Sequence, residues 1–338
     1  MPNVRSSSTD TLLSPTATRA DDSDHFGVLF GSSAPMRELY RQIERVARTD
    51  ASVLVIGESG TGKELIAKTI HECSLRRERP FIPVNCGAIP ANLVEAELFG
   101  HEKGSFTGAI AQHIGYFEHA STGTVFLDEV TEMSAEMQVK LLRVLETSAF
   151  HRVGGNDLVE VDMRVVAATN RDPEGAVAEG RFREDLLYRL AVVLIRVPPL
   201  RERGDDVELL AHHFLAELNR SGNTSKTFSR RALDIVRGYQ WPGNVRELRN
   251  TIHRAYIMGD TQVDLTDPYA QSRARRPSVR DGLMSVPIGT PLADAQREFI
   301  FATLKHFGGD KRQAARALGI SLKTLYNRLE SYQGRAAE

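Results

Sequence analysis

One seven-residue turn constrains this chain more than any other feature. The apolar run 52–56 leads straight into Gly57-Glu58-Ser59-Gly60-Thr61-Gly62-Lys63, and Glu64 opens a helical stretch reaching Glu72. A glycine-rich passage from strand to helix aims backbone N–H groups and the positive helix end at phosphate oxygens, and the lysine reaches the terminal phosphates. The position after that lysine commonly carries a Ser or Thr hydroxyl for Mg²⁺, and here Glu64 stands there. Such a turn belongs at the edge of a parallel sheet, and the chain has the runs to build one. Segments 52–56, 81–85, 124–127, 163–167 and 192–197 are nearly continuous apolar stretches, as strands covered on both faces should be. Helical stretches such as 64–72 and 136–145 alternate with them, so the expected class is α/β.

The third run supplies the other half of the chemistry. Val125-Phe126-Leu127 passes directly into Asp128-Glu129. A strand-end acid beside bound phosphates holds Mg²⁺ or its water, and a neighbouring carboxylate can orient and deprotonate the attacking water. Hydrolysis of a nucleoside triphosphate is the reaction these groups suit.

At 338 residues the chain has room for two or three domains. Two isolated cysteines, Cys73 and Cys86, exclude a disulfide framework and a four-ligand zinc site. No apolar run approaches the ~18 residues of a membrane span, and the Ser/Thr-rich start is no secretory signal, so a cytoplasmic protein is expected. The net charge of −1 hides an asymmetry: residues 271–338 carry twelve Lys or Arg against six Asp or Glu, leaving the middle acidic. That balance permits a nucleic-acid partner for the tail alone. The expected organisation is a disordered tail at 1–25, an α/β nucleotide-binding part at 26–200 and a helical lid at 201–260. A Pro- and Arg-rich linker follows at 261–290, and a small all-α domain at 291–338.

Together these residues resemble the AAA+ ATPases, and more closely the bacterial enhancer-binding proteins that activate sigma-54 RNA polymerase. The stretch carrying the closer likeness is Glu97-Leu-Phe-Gly-His-Glu-Lys-Gly104-Ser105-Phe106-Thr107-Gly108-Ala109. It is similar to that family's Gly-Ala-Phe-Thr-Gly-Ala loop, with Ser105 in place of the usual Ala. The family commonly has Glu after the P-loop Lys, as at Glu64. The resemblance implies ATP and Mg²⁺ as cofactors, an AAA+ sheet with a lid, and a loop that ATP binding raises to touch the sigma factor. It also implies roles residue by residue. Asn85 is the switch that hydrogen-bonds the catalytic Glu129, and Thr169-Asn170 senses the γ-phosphate. Arg183 and Arg189 act as arginine fingers from a neighbouring subunit, although an ion pair with Glu184 or Asp185 is the plain alternative. Arg246, in Trp241-Pro-Gly-Asn-Val-Arg246, contacts nucleotide phosphates from the lid. Fingers that act in trans require a ring, which the family makes a hexamer.

At the C-terminus, Ala314, Ala315 and Leu318 form an inner face, Gly319 makes a turn, and Ser321 can cap the next helix. Leu322, Leu325 and Leu329 should pack inward, leaving Lys323, Thr324, Tyr326, Asn327 and Arg328 for a DNA major groove. This segment resembles the Fis-type helix-turn-helix, with 293–307 as its dimer face. The implied partners are upstream enhancer DNA, sigma-54 polymerase holoenzyme and further copies of the chain, with no membrane. With no receiver domain expected ahead of the motor, a regulatory protein in trans, expression level or a related subunit is left to control it. Two other readings are a different AAA+ machine, which would lack the 104–109 loop, and a repressor with a decayed ATPase, which would lack Lys63, Glu129 or a finger.

Overall fold

The structure, a computed structural model, describes residues 24–90, 92–106, 108–265, 278–280, 283–286 and 291–334. It divides into two units at Leu265/Thr266. In the first, a short antiparallel pair, β1 (His25–Phe26) and β2 (Leu29–Phe30), precedes α1 (Ala34–Ala47). The alternating part then runs β3 (Val53–Ile56), α2 (Lys63–Glu72), β4 (Phe81–Asn85), α3 (Val94–Phe99), α4 (Tyr116–His119) and β5 (Thr124–Asp128). After α5 (Ala135–Thr147) come the hairpin strands β6 (Ala149–His151) and β7 (Leu158–Glu160). β8 (Arg164–Thr169), α6 (Pro173–Ala178), α7 (Glu184–Leu190) and β9 (Val193–Arg196) complete the layer.

Five strands form one all-parallel sheet in the order β4-β5-β8-β3-β9. Successive residues serve opposite faces, which explains why the runs are apolar throughout. Leu54, Val125, Leu127, Val165 and Ala167 enter one core with Phe99, Phe117 and Leu141. Val53, Val55, Phe126, Val166 and Ala168 enter the other with Tyr40, Ile43 and Ile70. Register places Ile56 beside Thr169 and Asn85 beside Asp128. Gly57, Asp128-Glu129 and Thr169-Asn170 therefore all leave the sheet at its C-terminal edge, where open α/β sheets bind ligands.

The lid has a third core. Here α8 (Asp206–Gly222), α9 (Arg230–Gly238) and α10 (Asn244–Met258) pack around Trp241, whose indole N–H donates to Val236 O. Strands do not stop before the lid as the sequence suggested. β10 (Thr227–Phe228) pairs in parallel with β11 (Gln262–Val263). Val263 and Leu265 are fully buried, so the first residues of the expected linker belong to the lid core. Asp206 ties the lid to the sheet layer: its carboxylate accepts from Ser32 N, Ser33 N and Ser33 Oγ at the start of α1.

The second unit carries an antiparallel pair, β12 (Ser278–Arg280) and β13 (Leu283–Ser285), inside the expected linker. Its helices are α11 (Leu292–His306), α12 (Lys311–Ala317) and α13 (Leu322–Gly334). Ile300, Ala314, Ala315 and Leu325 form their core, and Gly319 turns between α12 and α13 at φ +65°. Of the expected tail, residues 1–23 lie outside the described residues, while His25 already belongs to β1.

Candidate functional site

The P-loop turn joins β3 to α2 with Gly60 and Gly62 at φ +79° and +98°. A side chain at Gly60 would strike the carbonyl of Gly243, 2.3 Å from an ideal Cβ, so glycine lets the lid backbone close onto the loop. Lys63 is buried and folds its Nζ back onto Gly57 O at 2.8 Å and Glu58 O at 3.3 Å. Burial lowers its pKa, with Asp128 and Glu129 pulling the other way. Among the described residues its hydrogen bonds go to two carbonyls of its own loop, which a polyanion could replace.

Asp128 ends β5 and accepts from the backbone N of Glu129 through Oδ1. Glu129 adopts φ +54°, a left-handed conformation costly for a side chain of this size and characteristic of functional sites. A cleft of about 530 Å³ brings Ser59, Gly60, Gly62, Lys63, Glu64, Asp128, Glu129 and Arg246 together. Arg246 reaches Ser59 Oγ at 3.0 Å, and its backbone N donates to Gly60 O. A second cleft of about 430 Å³, between Val28–Phe30, Met36, Arg203, Leu210 and His213, shares Gly62, Leu65, Phe214, Val245 and Arg249 with the first. The two make one groove, polar over the P-loop and apolar beyond it. Sequence reasoning missed this apolar half. Its lining comes from segments almost two hundred residues apart, and the nearest sequence signal is Gly31-Ser-Ser-Ala-Pro35 opening α1.

Other expected residues are placed differently from expectation. Asn85 does not hydrogen-bond Glu129. Its Oδ1 accepts from Gly87 N and Ala88 N, closing the turn after β4, although Glu129 Oε2 lies close to Gly87. Glu58 turns its carboxylate away to Arg201 and Asn244, whose hydrogen bonds lower its pKa. Thr169 is buried and shares its hydroxyl with Thr131, while Asn170 is exposed in another cleft beside Gly57 and Glu58. Arg183 takes the plain alternative, a bidentate pair with Asp185 that raises its pKa. Arg189 instead donates to Leu145 O. It lines a cavity of about 280 Å³ with Ala51, Ser52, Met163 and Val165, at the strand starts and so at the sheet edge opposite the P-loop.

The loop at 104–109 has Gly104 and Gly108 at φ +84° and +110°. Phe106 is 41% exposed, with its ring edge-on to His101 at 4.9 Å. Thr107 lies outside the described residues. Ser105 is partly buried: its Cβ rests against Gly154, and its buried Oγ has no hydrogen-bond partner among the described residues. In the second unit, Ser321 Oγ accepts from Thr324 N and bonds the Thr324 hydroxyl, capping α13. Lys323, Tyr326 and Asn327 are exposed, with Lys311 over the Tyr326 ring at 4.7 Å. Thr324 and Arg328 are half-buried rather than fully outward. Among the described residues no three His, Cys, Asp or Glu could hold a metal ion by themselves, and no helix is long and apolar enough to cross a membrane.

Three families match in chain order: Sigma-54 interaction domain over residues 29–196, AAA+ ATPase lid domain over 201–280, and Bacterial regulatory protein, Fis family, over 291–332. The transcriptional regulatory protein ZraR of Salmonella typhimurium is 46% identical over 314 residues, 90% of this chain and 68% of ZraR. The nitrogen fixation protein AnfA of Azotobacter vinelandii is 46% identical over 306 residues, and the chain spans only 57% of its length. A crystal structure of NtrX from Brucella abortus in complex with ATP matches with a TM-score of 0.66 and 34% identity, covering 91% of this chain and 70% of NtrX. A structure of NtrX with ADP matches equally well. With such relatives and three matched segments in order, the chain belongs to the sigma-54-dependent bacterial enhancer-binding activators, combining an AAA+ domain with a Fis-type helix-turn-helix.

Proposed function

We propose that this protein binds upstream DNA, assembles into an ATPase ring and uses ATP hydrolysis to remodel sigma-54 polymerase from its closed to its open promoter complex. The observation that carries the reading is the gathering of Lys63, Asp128, Glu129 and Arg246 around one groove, on a chain that also presents Phe106 at its surface. ATP fits that groove: its phosphates meet Lys63 and the α2 N-terminus, and its base meets the apolar half. Mg²⁺ neutralises charge on the phosphates when bound, and Asp128 would hold it together with phosphate oxygens. Glu129 orients and deprotonates the attacking water. Lys63 and Arg246 stabilise charge on the phosphoryl oxygens. Asn85 and Thr169-Asn170 would report the state of the γ-phosphate only by leaving the contacts they make here with Gly87, Ala88 and Thr131.

Arg189 cannot serve its own P-loop. The length of β3 alone, four residues or about 13 Å, separates the two sheet edges. Serving a neighbour requires a head-to-tail interface that closes into a ring, six-membered by family likeness. Arg183 joins it once its pair with Asp185 opens. In this reading 26–200 is the nucleotide-binding part, the lid begins at 201, and 291–338 reads DNA through Ser321, Lys323, Thr324, Tyr326, Asn327 and Arg328. Gly104–Ala109 carries the sigma-factor contact. In-vitro transcription from a sigma-54 promoter tests the whole proposal. ATP-dependent open-complex formation is expected with sigma-54 holoenzyme and none with housekeeping holoenzyme, and the reverse result refutes it.

A further inference from the structure

The P-loop carries a carboxylate, Glu58, beside the turn that would hold phosphates. The backbone O of Glu58 lies 3.3 Å from Lys63 Nζ, which puts the Glu58 side chain within about one Debye length, about 8–10 Å, of a phosphate that lysine would hold. Left to itself, that charge repels a nucleotide. Arg201 Nη1 and Nη2 hold both its oxygens at 2.8 and 2.7 Å in the fork geometry that suits a carboxylate. Asn244 adds a third bond from Nδ2 to Glu58 Oε2 at 3.1 Å.

Asn244 is itself rigidly fixed. It is fully buried at φ +52°, accepts from Leu200 N through Oδ1, and donates to Ser59 O. Leu200 is the residue just before Arg201. The N-terminus of α10 and the segment entering the lid are thus clamped together on the carboxylate.

We propose that Arg201, seated by Asn244, is a positioning residue that neutralises Glu58 and holds it off the phosphate groove, so that lid closure sets nucleotide affinity through charge. The proposal rests on the groove being the ATP site. It predicts a dependence that packing alone does not give, because a repulsion vanishes when either the repelling charge or its range is removed.

The test uses the full-length chain, Mg²⁺ and a fluorescent ATP analogue. Arg201→Ala should raise Kd about tenfold at low salt, a size set by one partly screened charge at the loop. The loss should shrink toward onefold at about 1 M salt, where the Debye length is about 3 Å. Arg201→Ala with Glu58→Gln should regain most of the affinity. Arg201→Lys should fall between, since it restores the charge without the fork. The kcat of Arg201→Ala at saturating ATP should move far less than its KM. Equal affinity in wild type and Arg201→Ala overturns the proposal. So does a loss that neither salt nor Glu58→Gln relieves in protein that melts like wild type. A wild type that binds no analogue refutes the nucleotide site itself, a result distinct from either.

Discussion

The P-loop turn and the Gly104–Ala109 loop are both short and glycine-punctuated, yet they are held in opposite ways. Around the P-loop, Glu58, Ser59, Gly60 and Thr61 each accept hydrogen bonds from Arg201, Arg203, Asn244 or Arg246, residues far away in sequence. The described part of the other loop is tied mainly to itself: Gly104 N to Ala109 O, Ala109 N to Phe106 O, Ser105 N to Glu102 O. Its contacts beyond are Phe106 on His101 and Ser105 on Gly154. Charge stabilisation on a transferring phosphoryl group needs donors fixed beforehand. A contact that must reach a partner and withdraw needs few ties and glycines open to solvent, and nothing lies within 4 Å of a Cβ built at Gly104 or Gly108. One loop is braced by distant residues, and the described part of the other mainly by itself.

The largest expected effects attack the fixed loop. Glu129→Gln should bind ATP but lose turnover by about 10²–10⁴-fold, the usual worth of a positioned general base. Lys63→Ala should lose both binding and turnover. Steady-state ATPase rates beside nucleotide binding read both, and near-normal hydrolysis by Glu129→Gln removes it from the mechanism. Mixing Arg189→Ala with Lys63→Ala subunits should restore some ATPase, because some interfaces then pair an intact P-loop with an intact finger. A mixture that stays inactive while assembling normally breaks the trans assignment.

The next prediction separates the two loops. Phe106→Ala should keep ATPase within about twofold, since its ring touches His101 and none of the groove residues. It should nevertheless abolish open-complex formation with sigma-54 holoenzyme. Loss of both activities together would mean that the two loops are not independent.

How much of this was readable in advance follows the reach of each contact. The five sheet strands stood out because alternate residues feed two cores, as Leu54 and Val55 do, so each run is apolar throughout. The two- and three-residue pairs β1–β2, β6–β7 and β10–β11 leave no periodicity to find. The P-loop and Asp128-Glu129 were readable as local motifs at strand ends. Asn85 was not, because its amide chose the turn it closes over the glutamate one strand away. The Glu58–Arg201 fork spans 143 positions, and no spacing rule marks it. The burial of Ser105 is not legible locally, because its seat is Gly154, brought beside it by the β6–β7 hairpin.

A smaller effect is expected in the second unit. Asn327 is exposed on α13, away from the cap that engages Ser321 and Thr324. Asn327→Ala should cost about 1–3 kcal/mol of preference for the cognate site, the worth of one bidentate base contact. ATPase should be untouched. Binding titrations on specific and scrambled DNA read this, and a uniform loss on both sequences would make Asn327 a backbone contact only.

The smallest effect probes how loosely the second loop is seated. Ser105 Oγ is buried against Gly154 with no hydrogen-bond partner among the described residues, whereas the family's usual Ala would leave no polar atom there. A buried unpaired hydroxyl costs roughly 1–3 kcal/mol, and the cost disappears when the loop lifts and water reaches it. The serine therefore favours departure. Ser105→Ala should slow hydrogen exchange at Gly104 N and Ala109 N, the amides that close the loop's own turn, by a factor of up to about tenfold. Exchange at Arg246 N, which donates to Gly60 O on the fixed loop, should stay the same. Open-complex formation should survive but require more ATP turnovers for each event, since each lift now starts from a more stable seat. Faster exchange in Ser105→Ala would mean that the hydroxyl holds the loop down, and that the seat on Gly154 is a latch rather than a resting place.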